Sequence, residues 1–244
     1  SFIARHALDT YKVDPDRIRV IHRGIDIDKF DPANVSAERI VKLSMDWRLE
    51  DGVPTVMLPG RLTRWKGQPV LIEAIAKLER RDIRCLLVGS DQGRTGYSRE
   101  LAGLIAKHNL ESVVHLVGDC NDMPAALMLA DVVVSASTDP EAFGRVIVEA
   151  QAMGRLLIAA NHGASKELVL PNETGWLVPP NDSEALADAL REALVLDVQA
   201  RETWARRAIT RAQEQFTKQN MCAATLGVYR ELLDAAQVGG ETGA

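Results

Sequence analysis

The chain has 244 residues, of which 46% are hydrophobic and 26% charged, and its formal net charge at pH 7 is −5. This length and composition are typical of a globular protein that buries a core without disulfides or metals, and they exclude a disordered chain. The 34 acidic residues outnumber the 29 basic ones, so we expect no nucleic-acid partner, because non-specific nucleic-acid binding normally needs a basic surplus.

Cysteine usage and hydropathy indicate the compartment. The three cysteines, Cys85, Cys120 and Cys222, form no CxxC pair, which is typical of a reducing compartment and argues against a disulfide scaffold or a structural zinc site. No apolar run approaches the roughly 20 residues of a membrane-spanning helix, and no basic-then-apolar signal peptide opens the chain. The sequence therefore predicts a cytoplasmic protein.

The first region, residues 1–51, begins in the middle of a structural element. The chain starts at Ser1, and apolar residues at helical spacing follow at once with Phe2 and Ile3. We therefore expect the chain to be a piece of a longer protein, with this region as the end of a preceding domain and a connector. Pro15 ends the helix, and a short β-like run follows at Ile18–Ile21.

The second region, residues 52–180, alternates apolar runs with helical patterns. The predicted strands are Thr55–Leu58, Cys85–Val88, Val113–Val117, Val132–Ser135, Leu156–Ala159 and Trp176–Val178. The predicted helices are Pro69–Glu79, Tyr97–His108, Met123–Leu129 and Arg145–Met153. The strands are apolar throughout, so we expect both faces of their sheet to be covered. Alternating strands and helices predict an α/β class, with a doubly wound parallel sheet.

The third region, residues 181–244, adds helices. Asp182 and Ser183 offer caps for a helix that ends near Val195, a second helix covers Val198–Gln215, and Thr217 is placed to cap a third. The second of these carries four arginines interspersed with acidic residues, which predicts a solvated face. They are Arg201, Arg206, Arg207 and Arg211.

A Gly-rich segment, GRLTRWKG (Gly60 to Gly67), follows the first predicted strand. Ligands of open α/β sheets bind at the carboxyl ends of the strands. Arg61 and Lys66 favour an anion site there, since a guanidinium grips phosphate oxygens with two parallel hydrogen bonds and an ammonium adds a point charge. The spacing fits neither GxxxxGK[ST] nor GxGxxG. From this segment alone, two solvated cations on a loop are an equal alternative.

A second segment, STDPEAFGRVIVEA (Ser137 to Ala150), follows the fourth predicted strand and contains Glu141 and Glu149. Eight helical residues would separate these carboxylates by about 12 Å, which is too far for the carboxylate pair of a glycosidase. They suit the two ends of one polyhydroxyl ligand, because carboxylates accept hydrogen bonds from hydroxyls. An acid near a helix start and a surface acid are the alternative interpretation.

Metal chemistry has no support in the sequence. The five histidines show no ligand spacing, so we expect structural roles for them and predict no metal site. They are His6, His22, His108, His115 and His162.

The order of the segments carries more information than any one of them. GRLTRWKG, LLVGSDQG, VHLVGD, ADVVVSASTDPEAFGRVIVEAQAMG and NETGWLVPPND follow one another. This series resembles the C-terminal, donor-binding domain of GT-B glycosyltransferases of the retaining family 4, and RIRVIHRGIDIDKF resembles the connector that leads into it. The resemblance covers nearly the whole chain. It implies a Rossmann-like domain at residues 52–180 and C-terminal helices at residues 181–244 that complete it.

The resemblance also implies roles for single residues. Arg61 and Lys66 would bind the donor diphosphate, Glu141 would meet hydroxyls of the transferred sugar, and Glu149 would bind the ribose. Val117 and Gly118 would edge the base. Further donor contacts are expected from Gly60, Gly89, Phe143, Gly144 and Arg145. The donor would be a UDP-, GDP- or ADP-linked sugar, and neither a metal nor another cofactor would be needed.

Some positions depart from the family pattern. Ala164 stands where a second glycine is usual, and Arg23 replaces the usual asparagine of the connector. Most of the N-terminal acceptor domain is missing from this chain, so we expect it to be inactive or weakly active alone. The resemblance also allows peripheral association of the full-length enzyme with the inner face of the membrane. A non-catalytic nucleotide-binding module and a nucleotide-sugar epimerase of the same fold are the alternatives.

Overall fold

The structure is a computed structural model that describes residues 1–93 and 95–241. The strands are β1 (Thr55–Pro59), β2 (Arg84–Val88), β3 (Val114–Gly118), β4 (Val132–Ser135), β5 (Leu156–Ala160) and β6 (Trp176–Val178). The helices are α1 (Phe2–Tyr11), α2 (Ala37–Asp46), α3 (Gln68–Leu78), α4 (Thr95–Lys107), α5 (Met123–Met128), α6 (Arg145–Ala152), α7 (Ser165–Leu168), α8 (Ser183–Val195), α9 (Val198–Gln215) and α10 (Lys218–Glu241). Short 3₁₀ turns lie at Pro15–Arg17, Pro32–Asn34 and Arg64–Lys66.

The six strands form one parallel sheet in the order β3-β2-β1-β4-β5-β6. The chain enters the middle of the sheet at β1, runs outward to β3, returns to β4 and then runs outward the other way. The strand order therefore reverses between β1 and β4, which is where ligands of such sheets bind. The doubly wound, Rossmann-like α/β class predicted from the sequence is confirmed.

Two apolar layers cover the sheet. Val56 and Leu58 of β1 face a core that α3, α4 and α8 close, whereas Met57 faces a second core closed by α5 and α6. Connector residues Ile25 and Phe30 are buried in the second core, so the connector is packed onto the domain. The edge strand β3 is the least buried, with four of its five residues partly or fully exposed. This burial explains why the strands read as continuous apolar runs.

The first region differs from its prediction in two places. Ile18–Ile21 is not a strand: this segment pairs with no strand in the described part of the chain, and Arg19 Nε instead donates to Glu231 of α10. Helix α2 is absent from the prediction. Ser36 caps this helix, because its Oγ accepts a hydrogen bond from the backbone N–H of Arg39. The Arg39 guanidinium binds Asp122 with two hydrogen bonds of 2.8 and 2.6 Å.

The C-terminal helices begin and end close to their predicted residues. The side chains of Asp182 and Thr217 cap two of them by accepting hydrogen bonds from backbone N–H groups. The prediction of a solvated arginine face on α9 is wrong for two of the four side chains. Arg201 binds Asp131 at 3.1 Å, and Arg211 donates to the carbonyl oxygens of Glu167 and Leu168. Arg201 thus ties α9 to the residue before β4, and Arg211 ties it to α7, which helical spacing alone does not reveal.

Helix α10 meets the connector and leaves an apolar stripe uncovered. The Lys218 ammonium lies 2.7 Å from Asp26, and Ile25 pairs with Thr217. Further along α10 are four exposed apolar side chains. They are Leu226, Tyr229, Leu232 and Leu233. No helix in the described ranges is long and apolar enough to cross a membrane.

Candidate functional site

A cleft of about 960 Å³ opens at the carboxyl edge of the sheet. Its walls come from the segments that follow β1, β2, β3 and β4, within residues 59–66, 88–92, 119–123 and 141–149, and from Arg23 of the connector. Most of the site residues predicted from the sequence meet here. They are Gly60, Arg61, Lys66, Gly89, Glu141, Phe143, Gly144, Arg145 and Glu149.

The base of the cleft is made of backbone. Gly60 N–H donates to the Val88 carbonyl at 2.8 Å, and Gly89 N–H donates to the Gly118 carbonyl at 2.7 Å. Gly89 has φ +155, and a Cβ atom there would lie 2.0 Å from the Gly60 carbonyl oxygen. A residue without a side chain is therefore required where the ends of β1 and β2 meet, and a ligand gains close access to this backbone.

The two predicted cations have different surroundings. Arg61 is exposed, and its guanidinium makes no ion pair with the residues the structure describes. Lys66 ends the Arg64–Lys66 turn, and its Nζ lies 4.4 Å from the centre of the Trp65 ring and 2.7 Å from Glu141 Oε1. The Lys66 and Glu141 side chains are only 15% and 18% exposed. Of the two predicted cations, one is thus uncompensated among the described residues and the other is already paired.

Glu141 is bound on two sides. Its Oε1 accepts from Lys66 Nζ and from the hydroxyl of Ser137, a residue that is itself buried. Its backbone carbonyl accepts from Ala164 N–H at 3.0 Å. The carboxylate therefore has a fixed position at one end of the cleft, with its second oxygen left for a ligand.

Glu149 lies one turn inside α6, at the other end of this segment. The helix begins at Arg145 after Gly144, which has φ +78 and provides no side-chain cap. The first N–H groups of α6 are therefore left for a ligand. Glu149 is 5% exposed, and Arg145 Nη2 donates to its Oε1 at 3.0 Å. Phe143 packs its ring against Phe216, with 6.3 Å between centroids, and so anchors the approach to the helix.

The structure does not bring Val117 and Gly118 into the cleft. They end β3, and the next residues, Asp119 and Cys120, line the wall instead. Burial raises the pKa of the Cys120 thiol. Gly118 acts from behind, through the hydrogen bond from Gly89. The predicted pair thus lies one or two residues before the part of this strand end that lines the cleft.

Other lining residues were not singled out from the sequence. Trp65 lies inside the GRLTRWKG segment, Gln92 and Met123 lie in the segments after β2 and β3, and Arg23 belongs to the connector. Arg23 had a usable signal, since it departs from the family pattern next to Gly24. The remaining three are ordinary loop residues until the fold places them.

Metal ligation has no candidate among residues 1–93 and 95–241, where no three His, Cys, Asp or Glu side chains come together. The charges that a ligand would meet are those of the side chains. Cations, uncapped helix N–H groups and carboxylates in one cleft suit a ligand that has both anionic groups and hydroxyls.

Comparisons with known proteins agree with the family resemblance found in the sequence. Residues 42–211 match the family model described as Glycosyl transferases group 1. The D-inositol 3-phosphate glycosyltransferase of Corynebacterium glutamicum (strain R) is 31% identical over 242 residues, which cover 95% of this chain and 56% of that protein. The chain spans about half the length of the curated relatives it matches.

Two solved structures extend the likeness to three dimensions. A glycosyltransferase from Rickettsia africae ESF-5 superposes with a TM-score of 0.92 at 36% identity, over 95% of this chain and 62% of that one. Anabaena Alr3699/HepE, in complex with UDP and glucose, superposes with a TM-score of 0.81 at 31% identity, over 93% of this chain and 60% of that one.

Proposed function

The chain belongs to the group 1 glycosyl transferases of family 4 and forms the C-terminal domain of their GT-B fold, and on this premise we propose that its cleft binds a nucleoside-diphosphate sugar as the donor of a sugar transfer. The observation that carries the proposal is the meeting of the two predicted cations and the two predicted carboxylates in one cleft at the strand-order reversal. The anionic diphosphate takes the centre, and the two hydroxyl-rich ends of the donor take the carboxylates.

Arg61 and Lys66 bind the diphosphate in this proposal. Arg61 pairs with no carboxylate among the described residues, and Lys66 reaches the cleft from the same Gly-rich segment. The uncapped N–H groups at the start of α6 add partial positive charge. As the bond to the sugar breaks, negative charge grows on the leaving diphosphate, and fixed cations stabilise it without a metal ion.

The carboxylates determine the orientation of the donor. Glu149 is held by Arg145 and accepts hydrogen bonds from the hydroxyls of the ribose. Glu141, which is held by Lys66, accepts hydrogen bonds from the hydroxyls of the transferred sugar. Asp119 and Cys120 edge the base. Retention of the anomeric configuration and the supply of the acceptor site by a second domain belong to the same proposal. UDP is the first nucleotide to try, because the similar Anabaena protein was crystallised with UDP and glucose; GDP and ADP follow.

Calorimetric titration of the chain with UDP, GDP and ADP tests donor binding directly. We expect one of the three to bind, and Arg61→Ala and Lys66→Ala each to weaken it about tenfold or more, since a hydrogen bond to a charged group contributes roughly 1.5–3 kcal/mol. Arg64→Ala is the matched control. Arg64 lies in the same turn, but its side chain is 75% exposed and binds Glu100 at 2.7 Å, so its removal should leave binding unchanged.

Two results would contradict the proposal: no binding of any of the three nucleotides, or equal losses in the Arg61 and Arg64 variants. Transfer itself is a separate question. We expect this chain to transfer little sugar alone, and robust transfer to a defined acceptor would overturn that expectation. A full-length protein that alters a nucleotide sugar without any acceptor would favour the epimerase alternative.

A further inference from the structure

The loop that follows β5 contacts the Glu141 segment at three consecutive positions. His162 Nε2 lies 2.7 Å from the Ser137 carbonyl oxygen, and Ala164 N–H donates to the Glu141 carbonyl at 3.0 Å. Between them, Gly163 has φ +59, and a Cβ atom there would lie 2.8 Å from Glu141 N and 2.7 Å from Glu141 O. The backbone on either side of the Glu141 carboxylate is therefore shaped by residues 162–164.

The imidazole of His162 has a defined role in this contact. A carbonyl oxygen only accepts, so Nε2 carries the proton and donates it. Nδ1 is buried and has no partner within the described residues, so Nε2 makes the one polar contact of the ring there. The backbone of His162 is held in turn by Ser165, whose hydroxyl donates to the His162 carbonyl at 2.6 Å.

Ser137 transmits this contact to the cleft. Its carbonyl is held by His162, while its hydroxyl donates to Glu141 Oε1, the same oxygen that Lys66 Nζ binds at 2.7 Å. Ser137 is 4% exposed, so water does not readily replace either bond. The position of Ser137 thus fixes the position of the Glu141 carboxylate, which faces the sugar in the proposed function.

We propose that His162 is a positioning residue for sugar recognition: by holding the Ser137 carbonyl it fixes Glu141 for the hydroxyls of the transferred sugar. This inference rests on the proposed function and deepens it. His162 itself does not line the cleft, so it acts through Ser137 and not on the donor. The nucleotide half of the donor, which Glu149 and Arg61 serve, does not depend on it.

The test compares a sugar nucleotide with its bare nucleotide, because only the first reaches Glu141. Calorimetry on the full chain would use UDP-glucose with UDP, and in the same way GDP-mannose with GDP and ADP-glucose with ADP. For the pair that wild type binds, His162→Ala should weaken the sugar nucleotide about fivefold to tenfold, which corresponds to one net hydrogen bond of about 1 kcal/mol, and leave the bare nucleotide unchanged.

Rescue of the affinity by a conservative variant distinguishes a positioning role of His162 from a packing role. Glutamine carries an amide nitrogen as many bonds from Cβ as His Nε2, so His162→Gln should regain most of the affinity, whereas His162→Asn, whose nitrogen is one bond nearer, should not. The Gln and Asn pair also serves if His162→Ala does not fold. His6→Ala is the control, since His6 is exposed on α1 and outside the cleft.

Each outcome has one meaning. If wild type binds none of the nucleotides or sugar nucleotides, the proposed function fails, and the positioning role that rests on it falls with it. If wild type binds a pair but His162→Ala loses both ligands equally or neither, the positioning role is overturned. Equal affinities of the Gln and Asn variants for the sugar nucleotide would overturn it as well.

Discussion

At the scale of single residues, both carboxylates of the cleft's ion pairs are mostly buried, but their partners differ. Lys66, the partner of Glu141, has a side chain that is 15% exposed, whereas that of Arg145, the partner of Glu149, is 68% exposed. A buried carboxylate that loses its partner becomes costly, while an exposed guanidinium is solvated by water. Arg145 is therefore free to turn toward a ligand, and Glu149 is not.

Substitution of Glu149 tests its assignment to the ribose. Glu149→Gln keeps the shape and removes the charge that accepts hydroxyl protons, so nucleotide affinity should fall about tenfold. The preference for the ribonucleotide over its 2′,3′-dideoxy form should largely disappear, because the lost contact is to the ribose. Titration with both nucleotides measures this. Glu100→Gln, at an exposed carboxylate bound to Arg64, is the control; an unchanged preference in Glu149→Gln would contradict the assignment.

The three cysteines should differ in their rates of alkylation by iodoacetamide. Cys222 is exposed and should react first. Burial raises the pKa of both Cys120 and Cys85, which lowers the thiolate fraction that reacts, so Cys120 should react slowly and Cys85 only after unfolding. Since Cys120 lines the cleft, bound nucleotide should slow it further and leave Cys222 unaffected. Peptide mass spectrometry follows all three; protection of Cys222 instead of Cys120 would place the nucleotide elsewhere.

At the scale of elements, the site depends on how strand ends approach each other. The ends of β1 and β2 meet at Gly60 and Gly89 with no room for a side chain, and the end of β3 is tied to the same point by the Gly89–Gly118 hydrogen bond. Three loops of the cleft therefore share one junction. Helix α3 leaves this junction after β1, whereas α6 follows β4, on the other side of the strand-order reversal.

Gly89→Ala should destabilise the chain through this junction. A Cβ atom 2.0 Å from the Gly60 carbonyl forces the strand ends apart, and the strain should cost about 2 kcal/mol or more. For a chain of this size, Tm should fall by roughly 4–8 °C, as measured by circular dichroism. Gly103→Ala is the opposite control: Gly103 is an exposed residue of α4 with open space around it, so alanine should leave Tm unchanged or raise it. Equal Tm values for the two variants would contradict the model of the junction.

The helices and strands that are most completely buried are those that the sequence predicted most accurately. All six strands are within a residue or so of their predicted bounds, because strands covered on both faces must be apolar throughout. Helix α2 was missed because its partly buried residues, Ile40 and Leu43, are few and its main polar tie is to Asp122, far along the chain. Ile18–Ile21 lacks the neighbouring strand that a β prediction presumes: Val20 is 49% exposed, and Arg19 binds Glu231 of α10.

At the scale of the whole molecule, ion pairs join regions that are distant in sequence. Arg39 with Asp122 ties α2 to α5, and Lys218 with Asp26 ties α10 to the connector. Hydrogen bonds from these cations are the largest cause that lowers the pKa of Asp122 and Asp26 below the usual 3.8. The pairs are partly exposed, so each contributes modestly and is screened by salt.

These shifts predict how stability depends on pH. A carboxyl whose pKa is lower in the folded state binds a proton more readily when unfolded, so its contribution is present above the usual 3.8 and is lost as the pH falls below that value. Burial lowers the pKa of His115 below its usual 6.5 in the same sense, so some stability is lost already below that pH. Tm should therefore fall slightly from pH 7 to 5 and steeply from pH 4 to 3.

A variant and added salt test which groups cause the fall in Tm at acid pH. Asp122→Asn should make the fall in Tm below pH 4 shallower, since one of the responsible carboxyls is gone, and 0.5 M salt should reduce the contribution of the exposed pairs. Thermal melts at each pH measure both effects. A Tm that is the same at pH 5 and pH 3 would contradict the role of these pairs.

The sequence by itself determined the sheet, most of its helices, the strand ends that form the cleft, and the residue types that line it. It did so because burial imposes apolar runs, and because parallel strands deliver their following loops to one edge. The tertiary structure alone decided that Lys66 is paired with Glu141 while Arg61 is not, and that Asp119 and Cys120 line the cleft in place of Val117 and Gly118. It alone placed His162 against Ser137. These are contacts between residues up to 75 positions apart, and no local pattern encodes the distance between two side chains that meet only when the chain has folded.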